Sequence, residues 1–375
     1  MKVCIITTGD IKTFATIKGA TALATALNKK GHEASLILMN TENNKKRVKL
    51  ECPNVKIFWF DRTNVLNEIY KKNQIIKNYQ FDVIYSVSFG LRNFAYKMFN
   101  SKKFVSILEH SELQSAVAIQ NNKKIRWLLN LIFEKLSLLL FSGHICTSRY
   151  LYNNLNKQRK KTISLYSIYA YSSDLISFND QLSNKLLKVY KDKKVLCYMG
   201  TLTENYGIFD VVSAIKKLQK TYTNFILLII GSGKDKEKLL QVINRENLQN
   251  YVDIANYVPE EDLYTYFKNS DAFIAPLRNT TQDWARTPSK LFMYIHFNKP
   301  IITAKIGESK EVFSDYDFYY SPGEPESMSA AIEKALFFSD YWKPKWNSLD
   351  FTWDKVVIDR IEWLKKNWPK ILFKI

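Results

Sequence analysis

The stretch "VLCYMGTLTENYGIFDVVSAIKKLQKTYTNFILLIIGSG" runs from Val195 to Gly233. It holds two short apolar runs, Val195–Met199 and Phe225–Ile230, that read as buried strands. Each run ends on a glycine, Gly200 and Gly231. Between them, Ile208–Gln219 spaces its apolar residues as a helix does. A strand, a crossover helix and a second strand of this kind predict a parallel pair. Glycine at a strand-to-helix turn lets backbone come close to a ligand. Gly231-Ser232-Gly233 is by itself a weak signal, because many turns share it.

The alternation continues in both directions. Downstream, Val252–Ala255, Ala272–Ala275 and Pro300–Thr303 read as strands. Asp235–Glu246, Glu260–Asn269 and Pro288–Phe297 read as helices. Upstream of the polar stretch 171–194, seven further strands are expected: Val3–Thr7, Ala34–Met39, Val55–Phe60, Val83–Val87, Phe104–Leu108, His144–Thr147 and Thr162–Tyr166. Ile17–Lys30 reads as a helix with basic residues in its last turn and Gly31 as its stop. The tail from Trp353 to Ile375 has a helical pattern with Trp and Lys interleaved. The expected class is therefore α/β, with two successive doubly wound Rossmann-like domains facing a cleft. The domains are placed at 1–172 and 173–354, and ligand motifs are expected just after strands.

Composition narrows the partners. At 375 residues, 46% hydrophobic and 24% charged, the chain can bury a sizeable core. No apolar run approaches the roughly 20 residues of a membrane span, and none has the form of a signal peptide, so a cytoplasmic location is expected. Cys4, Cys52, Cys146 and Cys197 are scattered, which argues against a zinc site or a disulfide framework. The net charge of +19 is uneven. Residues 1–170 hold 27 Lys+Arg against 10 Asp+Glu, and residues 171–375 hold 28 against 26. The first half thus carries +17 and points to something anionic, unless it records a Lys- and Asn-rich genome. Nucleic acid finds no other support, since no recognition helix or aromatic RNA motif is visible.

Several residues stand out as site candidates. His110, in Leu108-Glu109-His110-Ser111-Glu112, closes a first-domain strand. His32, His144 and His296 read as structural or incidental. Tyr198-Met199-Gly200-Thr201-Leu202 ends the first strand of the second domain, where a loop can present amides to phosphate. The stretch "DWARTPSKLFMYIHFNKPII", Asp283 to Ile302, places Arg286 and Lys290 either side of Pro288 at a helix start. Free amides, the helix dipole and two cations there would clamp a diphosphate. The plain alternative is a solvated pair beside a loop.

These motifs resemble the family-4 type glycosyltransferases of the GT-B fold. "YMGTLTENYGIFDVVSAI" is similar to the family's glycine loop and following helix, and "LLIIGSG" to its donor loop. "VPEEDLYTYFKNSDAFIAPL" resembles the segment before the donor-contacting motif. "SKLFMYIHFNKPIITAKIGESKEVF" resembles the donor-contacting run itself. "DFTWDKVV" resembles the start of a terminal helix that crosses back to the first domain, which adds 355–375 to it. "LEHSE" is similar to the segment with the active-site histidine. Lys18-Gly19 is similar to a glycine loop after the first strand, serving acceptor or phosphate.

The resemblance implies a retaining transferase that takes a sugar from a nucleotide-diphosphate sugar without a metal or other cofactor. His110 would meet the transferred sugar. Arg286 and Lys290 would hold the diphosphate, with Gly200, Thr201, Gly231, Ser232, Ser289 and Leu291 completing the donor site. The acceptor would be a glycan or a lipid-linked group in cell-surface polysaccharide synthesis. The enzyme would sit peripherally on an anionic membrane face, where Lys123–Leu129 begins a basic amphipathic helix whose plain, and favoured, alternative is a core helix packed beside the sheet. Ala285 and Met293 stand where the family often has glutamates. Thr201 and Tyr206 stand where it has Arg and Lys, and Asn298 where it has glycine. These departures keep a non-catalytic partner of an active transferase as an alternative, alongside a DNA-acting transferase.

Overall fold

The computed structural model describes residues 1–14, 16–87, 90–99, 104–159 and 162–372. The end of the tail pattern, residues 373–375, lies outside the described residues. The chain forms two compact units. One comprises Met1–Asp174, Ala285–Thr287 and Thr352–Ile375, the other Leu175–Trp284 and Pro288–Phe351.

The first unit holds a seven-stranded sheet of Lys2–Ile6 (β1), Glu33–Met39 (β2), Lys56–Phe60 (β3), Val83–Ser86 (β4), Val105–His110 (β5), Gly143–Cys146 (β6) and Ser164–Tyr166 (β7). Its order is β3-β2-β1-β4-β5-β6-β7, all parallel. The second unit holds a six-stranded sheet of Lys194–Met199 (β8), Phe225–Ile230 (β9), Val252–Asn256 (β10), Ala272–Ala275 (β11), Ile301–Ala304 (β12) and Tyr319–Tyr320 (β13). Its order is β10-β9-β8-β11-β12-β13, again all parallel. Each sheet is doubly wound, as the strand–helix alternation predicts. The order reverses between β1 and β4 in one unit and between β8 and β11 in the other, which is where such sheets open a crevice for ligands.

Parallel strands covered on both faces need apolar residues throughout. All six residues of β9, "FILLII", are buried. Phe225, Leu227 and Ile229, on one face, join a core with Leu196, Val212, Ile215 and Ile332. The two-residue β13 escapes sequence reading because it is too short to show a period. Tyr320 nevertheless ties it inward, since its hydroxyl donates to Leu277 O at 2.8 Å and accepts from Leu277 N at 2.7 Å.

Local stop signals hold. The Thr16–Lys29 helix is followed by Gly31 at φ +77°, and Asn298 adopts φ +52° after the Ser289–Ile295 helix. Asparagine therefore fills a left-handed position that glycine otherwise takes. The tail is one helix, Trp353–Asn367, and Pro369 then starts a short second one, because its ring cannot continue the first.

The Trp353–Asn367 helix belongs to the first unit and supplies its largest buried charge. Arg360 Nη1 donates to Glu109 Oε2 at 2.9 Å and to the Tyr85 hydroxyl at 2.7 Å. Its Nε donates to Ser167 Oγ at 2.9 Å. Tyr85 in turn donates to Glu109 at 2.6 Å. Removing one partner of such a pair strands the other in a dry interior, at a cost of about 3–5 kcal/mol. Arg360→Leu is therefore expected to lower the unfolding free energy read from urea titration by that amount. A loss under about 1 kcal/mol, the size for an exposed pair, would show that Glu109 finds other solvation.

Candidate functional site: the glycine loops after β8 and β9

The second unit builds its site from two loops that touch through backbone. The loop after β8 follows the loop after β9 closely: Gly200 N donates to Ile230 O at 2.9 Å and Leu202 N to Ser232 O at 2.9 Å. Asp235 N returns a bond to Leu202 O at 3.1 Å, and Gly231 N reaches Asn256 O at 2.7 Å. No side chain fits between them. A Cβ on Gly231 would collide with Gly200 O, and one on Gly233 with Leu202 O. Gly231 also sits at φ +152°. Thr201 and Ser232, at the loop tips, are exposed.

Lys290 comes to the same place from the Ser289–Ile295 helix. Its Nζ lies 4.2 Å from the centroid of the Tyr198 ring, a cation–π distance. A Cβ on Gly200 would stand 2.9 Å from that Nζ, so glycine leaves the ammonium its room. Tyr198 is fully buried, and its hydroxyl donates to Thr201 O at 3.2 Å. Tyr294, one turn beyond Lys290, accepts from Met199 N at 2.8 Å and pins the helix to the end of β8. Gly200, Thr201, Gly231, Ser232 and Lys290 are thus gathered at the β8/β11 reversal of one unit.

The remaining candidates divide. Ser289 is exposed in the first turn, while Leu291 is buried and its amide already donates to Pro288 O at 3.0 Å. Pro288 caps the helix rather than starting it. Arg286 packs with the first unit, where Ser148 Oγ donates to Ala285 O at 2.7 Å and Thr287 Oγ1 to Thr147 O at 2.6 Å. There the Arg286 charge acts on Glu112, whose carboxyl burial nonetheless holds above its ordinary range.

Lys18 and Gly19 require a correction. They are not in a loop after β1 but in the first turn of the Thr16–Lys29 helix. The missing Cβ of Gly19 makes room for the Tyr169 hydroxyl, with which it would collide. Helical spacing of the apolar residues, which already marked Ile17 onward, outweighs the glycine there. The carboxyl end of β1 is occupied instead by a polar network. Lys72 Nζ donates to Thr7 O at 2.6 Å, Glu68 Oε1 at 2.7 Å and Asn93 Oδ1 at 2.8 Å, committing its three protons. Burial brings its pKa down to about 8.

His110 closes β5, and its Nε2 lies 3.0 Å from Nδ1 of His144 on β6. His144, read as incidental in the sequence, is its partner. Glu109 points to the opposite face of the strand, toward Arg360, as alternation requires. Burial pulls His110 to about 4. Burial, then the neighbouring His110, pulls His144 to about 2. Two neutral imidazoles sharing one hydrogen bond satisfy this geometry, because two cations at that distance would repel.

The fold is of the GT-B type, and residues 180–338, most of the second unit, match the family described as Glycosyl transferases group 1. The chain is similar to HepE of Anabaena, solved in complex with UDP and glucose, at TM-score 0.77 and 13% identity over 98% of this chain and 100% of that one. It is 21% identical over 248 residues, 64% of this chain, to an uncharacterized glycosyltransferase of Methanocaldococcus jannaschii. It is 26% identical over 112 residues, 30% of this chain, to alpha-monoglucosyldiacylglycerol synthase of Acholeplasma laidlawii. The matches span 59% and 28% of those two proteins' lengths.

Two outcomes follow from this geometry. Gly231→Ala must separate the two loops, so it is expected to lower the melting midpoint and weaken binding of any ligand seated on them. A variant melting and binding as wild type does would show that the loops yield at no cost. For the histidines, both native pKa values lie below the ordinary 6.5. The unfolded chain therefore takes up protons first as pH falls. Stability is expected to be full above 6.5 and to decline from there toward about 4, where His110 itself protonates. Urea midpoints across that window should fall, and fall less in His144→Asn; equal slopes would count against the neutral pair.

Proposed function

We propose that the chain is a retaining, metal-independent glycosyltransferase that moves a sugar from a nucleotide-diphosphate sugar to a glycan or lipid-linked acceptor. The observation that carries this reading is the backbone-to-backbone packing of the Gly200 and Gly231 loops beside Lys290, inside a group 1 domain. Such a surface offers main-chain donors and one fixed cation to an anion, and excludes side chains that would hold a phosphate away.

The chemistry asked of it is modest. When the glycosidic bond to the diphosphate breaks, negative charge grows on the leaving phosphate. Lys290 and Arg286 would neutralise that charge, with Thr201, Ser232 and Ser289 as hydroxyl donors, and this stabilisation lowers the barrier. No side chain is assigned as nucleophile. His110, neutral through the physiological range, would offer an imidazole hydrogen bond to a sugar hydroxyl rather than a charge. The first unit, with its excess of cations, would take the acceptor. The relatives support both sides of this reading: HepE binds UDP, and the Acholeplasma laidlawii synthase is named for a glycosylated diacylglycerol.

Met293 favours a second reading. It is half-buried where the family resemblance leads one to expect a carboxylate, and a thioether accepts hydrogen bonds from ribose hydroxyls only weakly. A chain without donor binding would be a non-catalytic partner of an active transferase.

Thermal stabilisation separates the two. A ligand specific to the native state adds about 2.7 kcal/mol at about 100 times its Kd. UDP, GDP, ADP and CMP are compared, with UDP expected to raise the midpoint of the wild type and to lose most of that effect on Lys290→Ala. If no nucleotide shifts the midpoint at millimolar concentration, the transferase reading fails and the partner reading stands.

A further inference from the structure

The helix Lys124–Leu140 in the first unit is apolar on two faces: Phe133, Leu138 and Leu140 pack inward against the core, and a second set of aliphatic residues faces solvent. Among its residues only Ser137 is buried. Two of its polar side chains face inward: Glu134 accepts from Ser115 N at 3.0 Å and Ser115 Oγ at 2.8 Å, and Asn130 Nδ2 donates to Gln114 O at 2.9 Å. Six of its large aliphatic residues face out. Ile125, Leu128, Leu129, Ile132, Leu136 and Leu139 are all exposed, Ile125 to 81% and Leu139 to 66%. Their spacing of i, i+3, i+4, i+7, i+11 and i+14 puts them on one stripe about 100° wide.

Cations border that stripe. At 3.6 residues per turn, Lys124 and Lys135 fall along one edge, and Arg126 lies about 60° beyond the other, all exposed. Lys123 precedes the first turn, and a shallow groove there is lined by Lys123, Arg126, Leu129 and Phe133. The helix's one acidic residue, Glu134, is on the inner side. Among the described residues no helix is long and apolar enough to cross a bilayer.

We infer that this helix docks the first unit onto an anionic lipid surface. An aliphatic stripe edged by Lys124 and Lys135, with Lys123 and Arg126 at its first turn, matches the layering of a bilayer boundary. The stripe enters the acyl region, and the long cationic side chains stay at the phosphates. The +17 carried by residues 1–170 against +2 for the rest adds attraction over a longer range. A second copy of the chain is the weaker fit, because a two-fold contact through the stripe would bring two sets of the same cations together. The inference goes beyond the proposed transfer reaction and does not need it, since binding to lipid requires neither donor nor acceptor.

The test uses the full chain and flotation with vesicles. Vesicles containing phosphatidylglycerol with phosphatidylcholine are expected to bind it at least about tenfold more strongly than phosphatidylcholine alone, with the difference shrinking as salt screens the cations. Leu128→Asp with Ile132→Asp is expected to abolish flotation without lowering the melting midpoint, because both residues already face solvent. Lys124→Glu with Lys135→Glu, which alters no apolar contact, should remove the preference for anionic vesicles. The inference is overturned if wild type fails to float with anionic vesicles, or if both variants float as it does. It is equally overturned if sedimentation velocity without lipid shows a dimer that Leu128→Asp with Ile132→Asp splits, since the stripe then belongs to a second copy.

Discussion

Every strand pairing in both sheets is parallel, and much else follows from that constraint. A parallel strand cannot turn back on its neighbour; the chain must cross over and re-enter from the same end. All carboxyl ends of a sheet therefore share one edge, and the loops that leave them crowd there. Where the winding reverses direction, two adjacent loops part and leave a crevice. In the second unit that point lies between β8 and β11. The Gly200 loop leaves β8, and the helix bearing Lys290 follows β11 and its loop. The site is thus a consequence of the winding, decorated by a few residues.

Crowding explains the glycines. The loops after β8 and β9 are held together by three hydrogen bonds between their main chains, which brings carbonyls to positions a Cβ would occupy. Side chains are excluded for a packing reason first. The exposed tips and the nearby ammonium then give that bare backbone a chemical use. Gly19 shows a different case: the same residue type, in a helix, yields space to the Tyr169 side chain.

The first unit stores its charges differently. Glu109, Glu68 and Lys72 are buried and fully engaged with protein partners, so they hold strand ends and helices in place. His110 and His144 are kept neutral by the same dryness. Lys124, Arg126 and Lys135 are exposed beside the aliphatic stripe of the Lys124–Leu140 helix. Buried charge here serves architecture, and the exposed charge is what the proposed docking would use.

Strand and helix periods, glycine stops and the two-domain restart near residue 190 were legible in the chain because each is a short-range property. Period, turn chemistry and propensity act over a few residues, so the fold class, the Gly200 and Gly231 turns and the asymmetric charge could all be read directly. What tertiary structure decided was partnership across distance. His144 looked incidental until β5 and β6 paired and brought it to His110, 34 residues away. Arg360 could be read only as one cation of a helical tail, yet it neutralises Glu109 across 251 residues. The Lys124–Leu140 pattern fitted both a core helix and an interfacial one, because periodicity fixes which residues share a face but not which face the rest of the protein covers.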